Sequence, residues 1–219
     1  MVIALLVLPF WRAGFRRTPQ LWAIWQRWLG RWVLGQRVVI EGNLPPNPAL
    51  VVMKHEAMFE TIDIMLLLDQ PVVFAKTELF AIPLWGALAR RYGLIAINRD
   101  GGAVALRHML KQAHAARHEG RPLVLYPEGT RVPVGAEPDI RAGFAGLYKL
   151  LDLPVVPVAV QSGHVAPRRG WIRRSGVIRY RIGGEVPSGL PRSDAEARVH
   201  AAINALNMED RLAKTGTSA

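Results

Sequence analysis

Cysteine is absent from the 219 residues. That excludes disulfide staples and thiolate chemistry, and it is compatible with a reducing compartment. Serine does not occur before Ser162, which disfavours a covalent serine intermediate as well. No apolar run approaches the roughly 18 residues of a bilayer-spanning helix. Met1 to Trp11 is apolar but too short, and it lacks both a charged leader region and a small-residue cleavage site. The histidines form no compact ligand cluster, so no catalytic metal is expected. Zinc-finger spacing, a helix-turn-helix signature and RNA-binding aromatic motifs are all missing. A nucleic-acid partner is therefore not expected, although the charge alone would allow one.

That charge is +11, from 28 Lys and Arg against 17 Asp and Glu. It favours an anionic bilayer or a phosphorylated ligand. The first 37 residues lack acidic side chains and hold six arginines. Leu21, Trp25, Trp28 and Trp32 recur at helical spacing, with Trp22 beside them and Arg27 and Arg31 on a different face. Two readings are open: a helix lying in the headgroup layer, or an amphipathic helix packed on the domain. Five tryptophans within the first 32 residues favour the membrane surface, because a small core seldom needs so many polar-tipped rings.

Past this segment, apolar runs of strand length alternate with helical patterns. Strands are expected at Arg37 to Ile40, Ala49 to Met53, Val72 to Ala75, Leu94 to Ile97, Leu123 to Tyr126 and Val155 to Val160. Helices are expected at Thr61 to Leu68, Ala103 to His118, Ala142 to Leu150 and Asp194 to Leu206. Lys76 to Arg91 reads as helical or mixed, with Pro83 starting a helix. Val177 to Ile182 alternates basic and apolar residues as an edge strand would, and Val132 to Ile140 reads as a mobile loop. The alternation predicts a single α/β domain with a central, mostly parallel sheet flanked by helices. Residues 1–37 would be an N-terminal helical membrane-interface anchor, 38–210 the domain and 211–219 a flexible tail.

Three places follow apolar strands: His55 with Glu60, Arg99, and Glu128 with Arg131. A parallel sheet gathers strand ends at one edge, where chemistry is placed. A histidine that takes a proton needs a carboxylate to fix its tautomer, and Glu60 lies one tight turn away. Asp63 is a rival partner. Taken singly, each place also has a bland reading: a satisfied structural histidine, a surface arginine, an ion pair bracing a turn.

His55-x4-Glu60, Gly93 to Arg99, Tyr126 to Arg131 and Leu153 to Val158 resemble the four ordered blocks of the glycerolipid acyltransferases, the closest group being the 1-acyl-sn-glycerol-3-phosphate acyltransferases. The resemblance runs from about residue 38 to about 190. It departs at Lys54, where the family usually has asparagine, and at Glu60, where it usually has aspartate, a form that resembles a bacterial branch. The resemblance implies transfer of a fatty acyl group from a thioester on coenzyme A or acyl carrier protein to the sn-2 hydroxyl of 1-acyl-sn-glycerol-3-phosphate, with no bound cofactor. His55 would be the general base and Glu60 its orienting partner. Arg99, Arg131, Thr130 and Gly129 would hold the acceptor's phosphate. Glu128 would position Arg131 or accept a glycerol hydroxyl, and Lys54 and Lys76 are further substrate-binding candidates. A backbone amide near the His55 turn would face the oxyanion. The implied location is the cytoplasmic face of a bacterial inner membrane, peripheral or monotopic. Acylation of another lyso-lipid, such as lyso-ornithine lipid, and a non-enzymatic binding role are the alternatives.

Overall fold

A computed structural model describes residues 12–44, 49–97, 102–168 and 172–207. Met1 to Trp11, the tail expected from residue 211 and Arg99 lie outside the described residues.

The first helix, α1 (Arg12–Trp32), begins well before the tryptophan stripe and carries Pro19 inside it. The next elements are β1 (Gln36–Glu41), β2 (Leu50–Met53), α2 (Phe59–Leu67), β3 (Val72–Lys76) and a 3-10 turn at Thr77–Ala81. Then come α3 (Trp85–Tyr92), β4 (Ile95–Ile97), α4 (Gly102–His118), β5 (Leu123–Leu125), α5 (Gly143–Leu151), β6 (Val155–Gln161), β7 (Gly176–Ile182) and α6 (Arg192–Ile203). The α3 helix starts at Trp85, not at Pro83: Leu84 has a φ of 63°, which interrupts the chain after the proline. Gly86 lets this turn close, since a Cβ there would lie 2.0 Å from the Phe80 carbonyl oxygen.

The seven strands among the described residues pair in the order β1-β7-β6-β2-β5-β3-β4. β6, β2, β5, β3 and β4 run parallel to one another. β7 is antiparallel to β6 and parallel to β1, so the sheet is mixed at one side. The expectation of an edge strand at Val177 to Ile182 is corrected: β7 lies between β1 and β6, and β1 is the edge. The basic alternation has another cause. Arg179 and Arg181 both reach Glu41 on β1, and these bonds hold that carboxyl below the usual range.

β2 is buried along its whole length, as a central parallel strand must be. Its odd residues, Val51 and Met53, enter one core with α1, α2 and Tyr92 of α3. Leu50 and Val52 enter the other, with Ala113 and Ala116 of α4, Phe144 and Leu147 of α5, and Ala195 and Val199 of α6. Helices therefore cover both faces, and α1 and α4 lie on opposite sides of the sheet.

The α1 helix is fastened to α2 by polar bonds. Arg27 grips Asp63 through Nε at 2.7 Å and Nη2 at 3.0 Å. Gln26 donates to the Phe59 carbonyl at 3.1 Å. Its other side is open: Trp22, Trp25, Trp28 and Trp32 are 60%, 60%, 51% and 71% exposed.

Candidate active site

Two residues after β2 ends, His55 stands at the carboxyl edge of the parallel strands. Five positions on, Glu60 falls in the first turn of α2, where the helix dipole favours a carboxylate. The His55 Nδ1 to Glu60 Oε1 distance is 2.9 Å. Glu60 Oε1 also accepts the amides of Glu56 and Ala57 at 2.7 and 2.6 Å, and its Oε2 accepts the Ser162 hydroxyl at 2.8 Å. The three other hydrogen-bond partners of this buried carboxylate are all donors. A carboxylate accepts, so the imidazole proton sits on Nδ1 and the lone pair is on Nε2. The ring is stacked at a tilt on Tyr126, centroids 4.4 Å apart, and its side chain keeps 15% exposure. Asp63 is not its partner, being held by Arg27.

Glu56 beside it is fully buried, with Oε2 accepting the amides of Ser162 and Gly163, both at 2.9 Å. Burial pushes its carboxyl up to about 7, the two amides opposing and neighbouring Glu60 reinforcing the shift. Gly163 leaves room for this: a Cβ there would meet Val134 Cγ2 at 2.6 Å and Glu56 Oε2 at 3.2 Å, so a neighbour would have to shift.

Glu128 comes to the same edge from the turn after β5. Its Oε2 accepts the His55 amide at 2.8 Å and its Oε1 meets Lys54 Nζ at 3.2 Å. Burial raises its carboxyl, against the pull of Lys54 and of the His55 amide. Glu128 thus pairs with Lys54 and the main chain of His55, not with Arg131. Lys54 is 1% exposed. It also donates to the Ala136 carbonyl at 2.7 Å and to Asn204 Oδ1 at 2.6 Å. All three N–H donors are engaged inside the protein, so Lys54 is neither solvated nor presented to a ligand. The amides of residues 55, 56 and 57 are likewise taken by carboxylates, which removes them as the expected oxyanion donors.

An open cavity of about 740 Å³ adjoins this edge, with Glu128, Thr130, Arg131, Arg141 and Arg168 in its wall. Its wall includes the loop read as mobile. That loop is tied down by Val132 N to His55 O at 2.7 Å, by Lys54 at Ala136, and by Arg141 N to Pro127 O at 3.0 Å. Arg131 donates to the Arg168 carbonyl at 3.2 Å, and Gly129 turns the chain at a φ of 67°. Lys76 is exposed at the end of β3, in register with Ile97 of β4. The structure therefore brings together His55, Glu60, Glu128 and Arg131, with Thr130 on the same wall. Lys76 is on the same sheet edge but outside the cavity wall.

Sequence reading missed Ser162, Glu56 and Asn204. Ser162 meets Glu60 across 102 residues of chain, and no local pattern marks such a pair.

Residues 36–161, more than half of the chain, match the acyltransferase family. This chain belongs to that family. The acyltransferase is 32% identical over 203 residues to a 1-acyl-sn-glycerol-3-phosphate acyltransferase of Pseudomonas aeruginosa, covering 92% of this chain and 76% of the relative. It is 33% identical over 116 residues to a lyso-ornithine lipid O-acyltransferase of the same organism, covering 52% and 43%. Its fold matches the crystal structure of the 1-acyl-sn-glycerophosphate acyltransferase PlsC from Thermotoga maritima, with a TM-score of 0.70 at 22% identity, over 93% of this chain and 87% of the other.

Proposed function

We propose that this acyltransferase moves a fatty acyl group from a coenzyme A or acyl carrier protein thioester to the sn-2 hydroxyl of 1-acyl-sn-glycerol-3-phosphate, giving phosphatidic acid. The observation that carries the reading is His55, its Nδ1 held at 2.9 Å by a carboxylate with three further donors. The free Nε2 takes the acceptor's hydroxyl proton as that oxygen bonds to the thioester carbonyl carbon. The tetrahedral intermediate then expels the thiolate, which leaves with the proton from the imidazolium. Glu60 stabilises the ring while it is charged. Direct attack within a ternary complex suits a chain without cysteine.

Arg131, Thr130 and the Gly129 turn are assigned to the acceptor's phosphate, a dianion that matches a guanidinium fork. Arg99 and Lys76 are proposed to extend the same cationic edge. The exposed tryptophans of α1 are assigned to the headgroup layer at the cytoplasmic face of a bacterial inner membrane. None of the helices among the described residues is long and apolar enough to cross a membrane.

The test is an acceptor panel on purified protein, with lysophosphatidate and lyso-ornithine lipid supplied in mixed micelles with each thioester. The expected result is transfer to lysophosphatidate, lost by at least about a hundredfold in His55→Ala. Transfer to lyso-ornithine lipid alone would overturn the acceptor assignment. Full activity of His55→Ala would overturn the base.

A further inference from the structure

The α4 helix presents a face that neither core nor active site uses. Gly102–His118 contains no acidic residue and carries Arg107, His108, Lys111, His114, Arg117 and His118. Arg107, Lys111, His114 and His118 repeat at helical spacing and form one stripe. All four are exposed, while Ala113 and Ala116 on the opposite side are buried against the sheet. None of the four has an ion-pair partner among the described residues. The nearby Glu119 pairs with Arg16 at 2.8 Å and approaches Arg121 at 3.9 Å. At the upstream end Val104 is 70% exposed and Leu106 38%. Val104 thus sets an exposed apolar point beside a basic, polar row, an arrangement consistent with the apolar core and polar rim of a protein interface.

Two placements narrow the partner. α4 packs on the face of the sheet opposite α1 and meets the start of α1 only at one end, where Arg16 pairs with Glu119, so a bilayer lying on the tryptophans is not expected to run along the stripe. The fixed charges Arg107, Lys111 and Arg117 span roughly 15 Å at about 1.5 Å per residue, with His114 and His118 as hydrogen-bonding groups along the same row, too long for one phosphate and matched to a row of carboxylates on another protein. β4 ends at the carboxyl edge beside Lys76, and α4 begins five residues later. Its first turn therefore lies near the edge that carries His55. Of the substrates in the proposed reaction, the carrier of the thioester is the one that can be a protein.

We infer that the exposed face of α4, from Val104 to His118, docks acidic acyl carrier protein and delivers its thioester along that edge. The inference rests on the thioester-dependent reading above. Charges of this kind steer association and are screened by salt.

The test compares wild type with Arg107→Glu/Lys111→Glu and with the milder Lys111→Ala. It reads binding of fluorescent bacterial acyl carrier protein by anisotropy, turnover with acyl-coenzyme A and with acyl carrier protein thioester, and sedimentation with anionic vesicles. The double variant is expected to weaken carrier binding, and to raise KM for the carrier thioester, by at least about tenfold. Lys111→Ala should fall between. Turnover with acyl-coenzyme A and vesicle binding should stay within about twofold, which shows the reaction itself intact. Unchanged carrier binding, equal loss with both donors, or loss of vesicle binding in the variant would overturn the docking role. Wild type that uses coenzyme A but never the carrier would overturn it too, while leaving the acyltransferase reading standing.

Discussion

Ser162 acts on the imidazole only through Glu60, so its effect belongs on turnover and not on substrate capture. Ser162→Ala removes a hydrogen bond to a charged group, worth about 1.5–3 kcal/mol. A fall in kcat of about tenfold or more is expected, with both KM values near wild type and partial rescue by Ser162→Thr; steady-state kinetics decide it, and a raised KM at unchanged kcat would refute a positioning role. Glu56 governs pH response. Burial holds its carboxyl at about 7, above its unfolded value, so the folded chain keeps a proton that the unfolded chain has released. The stability this contributes is full below the unfolded pKa and is lost as pH rises towards 7, by on the order of 3 kcal/mol. Urea melts at pH 5 and pH 8 should show wild type losing stability relative to Glu56→Gln; parallel behaviour of the two would contradict the burial argument. His55 with Glu60 was legible in the sequence because five residues enclose the pair in one turn. Glu56 carries no local signal in the sequence, because its partners Ser162 and Gly163 follow the carboxyl end of β6. Arg131 was legible as a cation at a strand end, whereas its bond to the Arg168 carbonyl was not.

At the scale of elements, the tryptophan stripe on α1 was readable from spacing alone, and the structure leaves that face open. Trp25→Ser/Trp28→Ser should reduce sedimentation with anionic vesicles by at least about tenfold with little change in melting temperature, since both rings are more than half exposed. A large drop in melting temperature with vesicle binding intact would show that the face packs on protein instead. Past α1, which begins well before the tryptophan stripe, strands and helices were placed from period and punctuation to within a few residues. The one strand misread was β7, because alternating charge looks the same whether it faces water or a neighbouring carboxylate. Glu41, which makes that difference, stands more than a hundred residues before the arginines it binds.

Across the whole molecule, βα alternation announced a parallel sheet, but strand order and the reversed β1–β7 pair depend on long-range pairing that no window contains. Lys54 joins four distant parts: β2, the turn after β5, the cavity loop at Ala136 and α6 through Asn204. Lys54→Met would leave Glu128 buried without its cation, which costs about 3–5 kcal/mol. Chemical denaturation should show that loss, and a variant as stable as wild type would mean that Glu128 is held by the His55 amide alone. The Arg27–Asp63 clasp works the same way between the tryptophan-bearing α1 and α2, and Gln26 grips the carbonyl one residue before Glu60. Trimming α1 to obtain a freely dissolving enzyme would therefore strip a sunken anion of its counterion and loosen the turn that aims the imidazole, so the lipid adhesion proposed for α1 and the catalysis proposed for His55 would be lost as one trait.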